Sequence, residues 1–389
     1  MKLLPFLAAG LLVPAAALGS PAAGPAADEV RAIWITRFEY QTEADVRTIL
    51  ANCASLGFNT ILFQVRGQAD AYYRSSVEPW AERLGGRDPG FDPLEVACRE
   101  SKRLGLSLHA WVNTMPAWRG KTPPADRNHV CYTHPNWIVT GRDGRRQAFN
   151  DHYVCLNPCL PEVREYIVSV LRDLAERYPI DGLHLDYVRF IEGEWSYDAK
   201  TLALFGGSPD AQPEAWNTFR KGAVTELVRM TRQMLRDMRP NAVLSAAVFP
   251  SAKSRDRVLQ DAEGWVRKGL VDWVFPMTYD DSDADFRDVI EEGYSLFKAG
   301  APPAAARRTL QSKGGQPGET AAARSVCFPG VGAYKHKTAE QTVRQMALCR
   351  SGFALFSYSS LYVSPDETRR ENDRLCRARR EAVRKYLAR

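Results

Sequence analysis

At 389 residues, 45% hydrophobic, the chain is too long for a small domain and suits one large barrel or two ordinary domains. Its formal charge of +6 is only mildly basic, which argues against a nucleic-acid partner. The basic stretch from Arg369 to Arg389 spaces Leu375, Ala378, Val383 and Leu387 as an amphipathic last helix with a solvated face.

The opening MKLLPFLAAGLLVPAAALGS has one lysine, a short apolar run and small residues, the layout of a signal peptide over 1–19. Pro5, Pro14 and the brevity of the run argue against a spanning helix. The expectation is a linker at 20–29, one barrel domain over 30–389, secretion or periplasmic location with no stable membrane anchor after cleavage, and a monomer.

Short apolar strands then alternate with amphipathic helices. Strands are predicted at 30–36, 59–65, 107–113, 180–188, 243–249, 271–279, 325–334 and 353–359, and helices at 43–56, 92–104, 160–178, 213–238, 255–268, 284–298, 338–350 and about 370–387. A strand followed by a helix, repeated eight times, is the α/β pattern of a closed (β/α)8 TIM barrel. An open doubly wound sheet is the runner-up, but the chain lacks a glycine-rich dinucleotide loop. The long connections 114–159 and 189–212 follow the third and fourth strands and would rise over the carboxyl-terminal rim, where barrels of this kind hold their sites.

Alternation sorts each strand into two faces. In the second strand Thr60, Leu62, Gln64 and Arg66 are expected inside; in the third, Ser107, His109, Trp111 and Asn113; in the fourth, Gly182, His184 and Asp186, with Leu183, Leu185 and Tyr187 toward the helices. Asp181 falls at the bottom and reads as structural, while Arg189 begins the rim loop. Buried polar groups are costly unless paired, so this convergence is either a hydrogen-bonded network or a site. Individually each has a plainer reading: an internal Arg66–Asp186 salt bridge, or satisfied core histidines. Trp34, Trp111, Tyr279 and Tyr358 are expected to ring the mouth, where flat faces with polar neighbours suit sugar rings, and Trp118, Trp137 and Trp195 lie in the long loops.

Glycoside hydrolysis needs two carboxyl groups. Asp186 is the first candidate; Asp280, directly after the sixth strand, ranks next, followed by Glu192 or Glu194 in the rim loop, with Asp70 after the second strand as a further possibility. The working assignment makes Asp186 the nucleophile or stabilising carboxylate and Asp280, Glu192 or Glu194 the acid. No cofactor is called for. The eight cysteines of an exported chain suggest disulfides, from Cys53 and Cys98 on consecutive helices, Cys349 and Cys376 likewise, and Cys131, Cys155 and Cys159 in one loop, with Cys327 as core. His129, Cys131, His134, His152, Cys155 and Cys159 are also six conceivable zinc ligands, but without the tight paired spacing of structural zinc sites; a disulfide is favoured there and no metal is assigned.

The stretches RAIWITRFEY, NTILFQVRGQADAYYRSSVEPW, FDPLEVACRESKRLGLSLHAWVNTMPAWRG, LNPCLPEVREYIVSVLRDLAERYPIDGLHLDYVRF and VDWVFPMTY resemble, in order, the glycosyl-hydrolase-like family ten, which is distinct from the xylanase family of the same number. The resemblance covers about Arg31 to Tyr279 and implies a (β/α)8 barrel, export and activity on polysaccharide or a cell-wall glycan, since some relatives cleave peptidoglycan glycan strands. It implies that Asp186 is the catalytic aspartate and that Gln64, Arg66, His109, Trp111 and Asn113 bind sugar. We add His184, Arg189, Trp34, Tyr279 and Tyr358 as substrate-binding candidates from the strand sorting. Two positions depart from the family: Ile191 replaces the usual proline, and the cysteine-rich loop 131–159 is foreign to it. Chitinase-like barrels carry a glutamate where this chain has Val188, which disfavours their substrate-assisted mechanism. The competing expectation is a non-catalytic glycan-binding protein on the same barrel.

Overall fold

The computed structural model describes residues 29–297, 326–363 and 373–388; the expected signal peptide and most of the expected linker lie outside the described residues. The chain alternates β1 (Val30–Ile35), α1 (Glu43–Leu56), β2 (Thr60–Arg66), α2 (Pro93–Leu104), β3 (Ser107–Asn113), β4 (Pro116–Arg119), α3 (Val130–Thr133), β5 (Tyr153–Cys155), α4 (Pro161–Arg177) and β6 (Gly182–Asp186). It continues with α5 (Ala199–Phe205), α6 (Pro213–Met238), β7 (Val243–Val248), α7 (Ala252–Arg257), α8 (Ala262–Arg267), β8 (Trp273–Pro276), α9 (Asp283–Leu296), β9 (Gly330–Gly332), α10 (Ala339–Leu348), β10 (Gly352–Phe356) and α11 (Asp373–Leu387).

Eight strands form one parallel sheet in the order β8-β7-β6-β3-β2-β1-β10-β9. The two ends meet through a parallel bridge between Val274 and Cys327, where Val274 N–H donates to Val326 O at 2.7 Å and Phe328 N–H to Val274 O at 3.0 Å. The result is the expected (β/α)8 barrel.

Local chemistry sets the helix ends. Thr42 and Asp45 form a reciprocal cap before α1, and Gly57, at φ 93°, closes it. Asp92 accepts from Leu94 and Glu95 N–H ahead of Pro93, and Gly105 ends α2 in the same left-handed way. Elements depart from expectation where the backbone forbids continuation. The predicted strands at 271–279 and 325–334 shrink to 273–276 and 330–332: past Met277 the N–H groups of Thr278 and Tyr279 turn back to Pro276 O and Met277 O, and Pro329 has no N–H for the ladder. The helix predicted at 255–268 splits into α7 and α8 around Leu259, which sits at φ 54°.

Strand parity divides the core. Ile33, Ile35, Ile61, Phe63, Leu108, Val112, Leu183, Leu185 and Leu244 pack outward against the helices, while Ala32, Trp34, Leu62, Trp111, Phe275, Phe328 and Ala354 plug the interior. Gly182 is required inside: a Cβ there would lie 2.5 Å from the His109 ring. At the bottom, the Asp181 carboxylate accepts Leu108 N–H at 2.9 Å.

The eight cysteines correct the disulfide expectation, since all are buried and none is bonded. They sit among apolar side chains, and burial pushes the thiols of Cys98, Cys131, Cys155, Cys159 and Cys327 up to about 12, leaving them protonated and inert. The six conceivable zinc ligands do not converge. His129 Nδ1 accepts from Cys131 N–H and Nε2 faces Gln68 O, while His134 stacks on Trp137 with centroids 3.8 Å apart. Among the described residues no group of three His, Cys, Asp or Glu side chains is arranged to hold a metal ion.

Candidate active site

A cavity of about 770 Å³ opens at the carboxyl-terminal rim, in the range of ligand pockets. Its floor is the aromatic plug and its walls come from the strand ends and the loop 114–159, which folds back as the antiparallel pair β4–β5. Of the sequence candidates, Trp34, Gln64, Trp111, Asn113, Asp186, Arg189, Glu192 and Tyr279 line this cavity.

Asp186 ends β6 and pairs in register with Asn113. Its side chain is buried, and one carboxyl oxygen accepts Tyr187 N–H at 2.6 Å. Burial raises its pKa above the ordinary aspartate value, against the pull of Arg189, the Tyr187 N–H and Trp111. The Trp111 indole N–H has no full hydrogen-bond partner and is close enough to the carboxyl to favour its charge. Arg189 stacks between Tyr187 and Phe249, at 4.2 and 4.8 Å from the ring centroids, and its buried Nε–H is unpartnered.

Beneath Asp186 the floor is fixed by hydrogen bonds. Trp34 Nε1–H donates to His184 Nε2 at 3.1 Å, so the remaining proton is on Nδ1, which donates to Ser245 Oγ at 3.0 Å. Burial keeps this imidazole neutral, its pKa well below the usual histidine value. Above it, Gln64 Oε1 accepts Arg37 N–H at 3.0 Å and Gln64 Nε2 donates to Asn113 Oδ1 at 3.1 Å; Asn113 Nδ2 in turn donates to Gly67 O and, at 3.3 Å, to Tyr153 OH.

Other candidates are placed elsewhere. A bulge between Gln64 and Arg66 aligns Arg66 with Val112, an outward position, so the parity argument fails one residue too soon. Arg66 is consequently buried beside the cavity, with Nη2 2.7 Å from Glu78 Oε1 and other N–H groups on Thr114 O and Pro116 O. His109 is inside the barrel but a pleat below the cavity, stacked on Trp273 at 5.2 Å, with neither ring nitrogen hydrogen-bonded and burial pushing its pKa down to about 3. His184 likewise lies in the floor and not in the lining.

Tyr358 is outside the barrel, because β10 ends at Phe356; its hydroxyl accepts from Asn52 Nδ2 at 2.8 Å and its ring stacks on Tyr362 at 4.8 Å. Asp280 is outside the lining as well: beyond the short β8, its carboxylate accepts Ser282 N–H at 2.9 Å and steers the chain into α9. Glu194 is held by Arg142 at 3.0 Å. Glu192, by contrast, lines the cavity, exposed and 3.6 Å from Arg257.

Sequence reasoning missed Arg37, Arg119, Tyr153, Tyr187 and Phe356. Arg37 lies two residues past the end of β1, a rim position that strand ends mark. Alternation places Tyr187 in the helix-facing row, but its φ of 50° breaks the pattern and it lines the cavity. Tyr153 arrives on β5, for which the loop sequence carried no strong local signal. Close packing of the opposite wall needs Gly332, where a Cβ would come within 2.8 Å of Tyr279 Cβ.

A parallel barrel with an aromatic cavity and a buried carboxyl group at its rim defines the class: a glycosidase-like hydrolase barrel. The chain belongs to the family described as Glycosyl hydrolase-like 10, whose profile matches residues 29–295. It is similar to Glycosyl hydrolase YngK of Bacillus subtilis (strain 168), with 24% identity over 287 residues, 64% of this chain and 54% of that protein. Similarity to Glycosyl hydrolase DigH of Escherichia coli (strain K12) is 27% over 254 residues, 58% of this chain and 55% of that protein. The chain thus spans about half the length of these curated relatives. In fold it is similar to the PgaB (BpsB) glycoside hydrolase domain from Bordetella bronchiseptica, with a TM-score of 0.62 and 13% identity over 92% of this chain and 99% of that one. Alpha-L-fucosidase isoenzyme 2 from Paenibacillus thiaminolyticus gives 0.58 and 13% over 92% of this chain and 49% of that one.

Proposed function

We propose that the protein is an exported glycoside hydrolase that cleaves a polysaccharide or peptidoglycan glycan strand, with Asp186 as an essential carboxyl group. The observation that carries this reading is Asp186 itself, buried, raised in pKa and set in the wall of a cavity lined by Trp34, Trp111 and Tyr279.

The two carboxyl groups of the cavity have unlike surroundings, and that contrast suggests their division of labour. Asp186, buried against Trp111, suits the general acid that protonates the leaving oxygen. Glu192, in water beside Arg257, suits the base or nucleophile. This reverses the working assignment drawn from sequence, because burial was not legible there. Gln64 and Asn113, locked to each other, would hold sugar hydroxyl or acetamido groups, and the aromatic faces would carry the rings.

Export rests on the signal-like first residues and on similarity, 22% over 185 residues, to an S-layer-related protein of Niallia circulans. Among the described residues no helix is long and apolar enough to cross a membrane.

The test is release of new reducing ends from peptide-free peptidoglycan strands and from a panel of polysaccharides, wild type against Asp186→Asn. Cleavage by the wild type alone supports the reading. Binding without cleavage by either protein replaces it with the non-catalytic glycan-binding alternative.

A further inference from the structure

Arg37 raises a question that hydrolysis of a neutral sugar does not answer. The residue is 3% exposed, yet it forms no salt bridge; the carboxylate that acts on it is the buried Asp70, through its field and without a hydrogen bond. One guanidinium N–H donates to Tyr153 OH at 3.1 Å, the plane rests near Phe38 with Cζ 4.4 Å from the ring centroid, and no acceptor among the described residues takes the remaining N–H groups. Guanidinium N–H groups that face the cavity without a protein acceptor keep their capacity to bind an anion that enters it. The chain makes room for this side chain: a Cβ on Gly67 would fall 2.4 Å from the guanidinium carbon.

The surroundings repeat the signal. Tyr153 OH accepts from both Arg37 Nη2 and Asn113 Nδ2, which leaves its own proton to donate. Arg37, Phe38 and Arg119 line both the main cavity and a neighbouring one of about 370 Å³, so the two adjoin. Two carboxylates line the neighbour. Asp151 is already 2.9 Å from Lys121, and Asp70 accepts Gln68 N–H at 3.1 Å, while burial raises its pKa against the pull of Arg37.

We infer that Arg37, with the Tyr153 hydroxyl and Arg119, forms a subsite for a carboxylate carried by the substrate, so that the glycan accepted here is an acidic one. This deepens the reading of the cavity as a glycan site and rests on it. The guanidinium offers parallel N–H groups of the kind that grip a carboxylate with two hydrogen bonds. The Gln64–Asn113 network fixes Arg37 relative to the end of β6, so a bound carboxylate would set the register of the sugar chain against Asp186.

Two sources of carboxylate fit, the C6 acid of a uronate or the lactyl ether of a muramyl sugar, and matched probes separate them. Titration calorimetry on the Asp186→Asn protein would compare trigalacturonate with its carboxyl-reduced form, and peptide-free muramyl glycan with a chitin oligosaccharide of equal length. The expected result is that the acidic member of one pair binds about tenfold tighter or more, the scale of a charge-assisted hydrogen bond. Adding Arg37→Gln should erase that preference and Arg37→Lys should leave part of it. If Arg37→Gln does not fold, Tyr153→Phe tests the same subsite and should reduce the preference several-fold. No preference in either pair, or one that survives these changes, overturns the subsite. Cleavage of neutral glycan by the wild type without any acid preference would sink the subsite alone; acid preference without cleavage by the wild type would sink the hydrolase reading alone.

Discussion

Two buried arginines a few residues apart in space illustrate opposite uses of the same side chain. Arg66, 1% exposed, spends its N–H groups on Glu78, which also accepts the Tyr166 hydroxyl at 2.7 Å, and on three backbone carbonyls. Arg37 has no salt-bridged carboxylate, only the field of the buried Asp70, and faces a cavity. A fully paired buried ion fixes structure, whereas an unpaired one beside open space keeps its binding capacity for something that arrives. Asp186 and Asp280 differ in the same sense: the first is buried in the cavity wall, the second is committed to a turn.

The largest effect expected from this contrast is on catalysis. Asp186→Asn should lower turnover of the natural glycan by about a hundredfold or more. The same change should raise the melting temperature at neutral pH. The folded pKa of Asp186 lies above its unfolded value, so its stabilising contribution is complete below the ordinary aspartate range and is lost as pH rises through the raised value. Above that window the ionised carboxyl is a cost, which asparagine removes. With Asp186 as acid, kcat/KM should fall on the alkaline side of that raised value, as a pH–rate profile would record.

Next in size is stability at the paired arginine. Arg66→Met, leaving Glu78 buried and alone, should cost about 3–5 kcal/mol, and Arg66→Met with Glu78→Leu should cost less than Arg66→Met by itself, measured by denaturant unfolding. Arg37→Gln should cost less, since it breaks no salt bridge and removes only the longer-range pull of Arg37 on the buried Asp70. Glu192→Gln should lower kcat with little change in melting temperature, because the side chain is exposed. Smallest of all, Asp280→Asn should leave kcat within about twofold, as expected of a residue outside the cavity. A large kcat loss there would break the contrast between the two aspartates.

The barrel was legible because hydrophobic periodicity records which face of each element is buried, and eight strand–helix repeats leave few closures. Within the site, Gln64, Trp111, Asn113 and Asp186 were found by alternation, which holds as long as a strand stays regular. It failed at Arg66 and Tyr187, where a bulge and a left-handed residue reset the faces, and at Tyr358, beyond the end of its strand. No glycine or proline lies inside the bulge or beside Tyr187; Gly67 follows the bulge only after Arg66. Tyr153 was hidden for another reason: it reaches the cavity through β4–β5 pairing inside a long loop, a tertiary event without local periodicity. The cysteines misled because export and an even count suggested bridges, whereas the barrel buries each one as a small apolar side chain.

If Asp186 delivers a proton to the leaving oxygen, its loss should weigh most on poor leaving groups, and leaving-group dependence tests that most directly. Once the sugar is known, wild type and Asp186→Asn would be compared on the natural glycan and on the 2,4-dinitrophenyl glycoside of the same sugar, whose departure needs no acid. The predicted result is a loss of about a hundredfold or more on the glycan and of less than about tenfold on the activated glycoside. Equal losses on both would make Asp186 a nucleophile or charge stabiliser, and no loss on either would contradict its catalytic role.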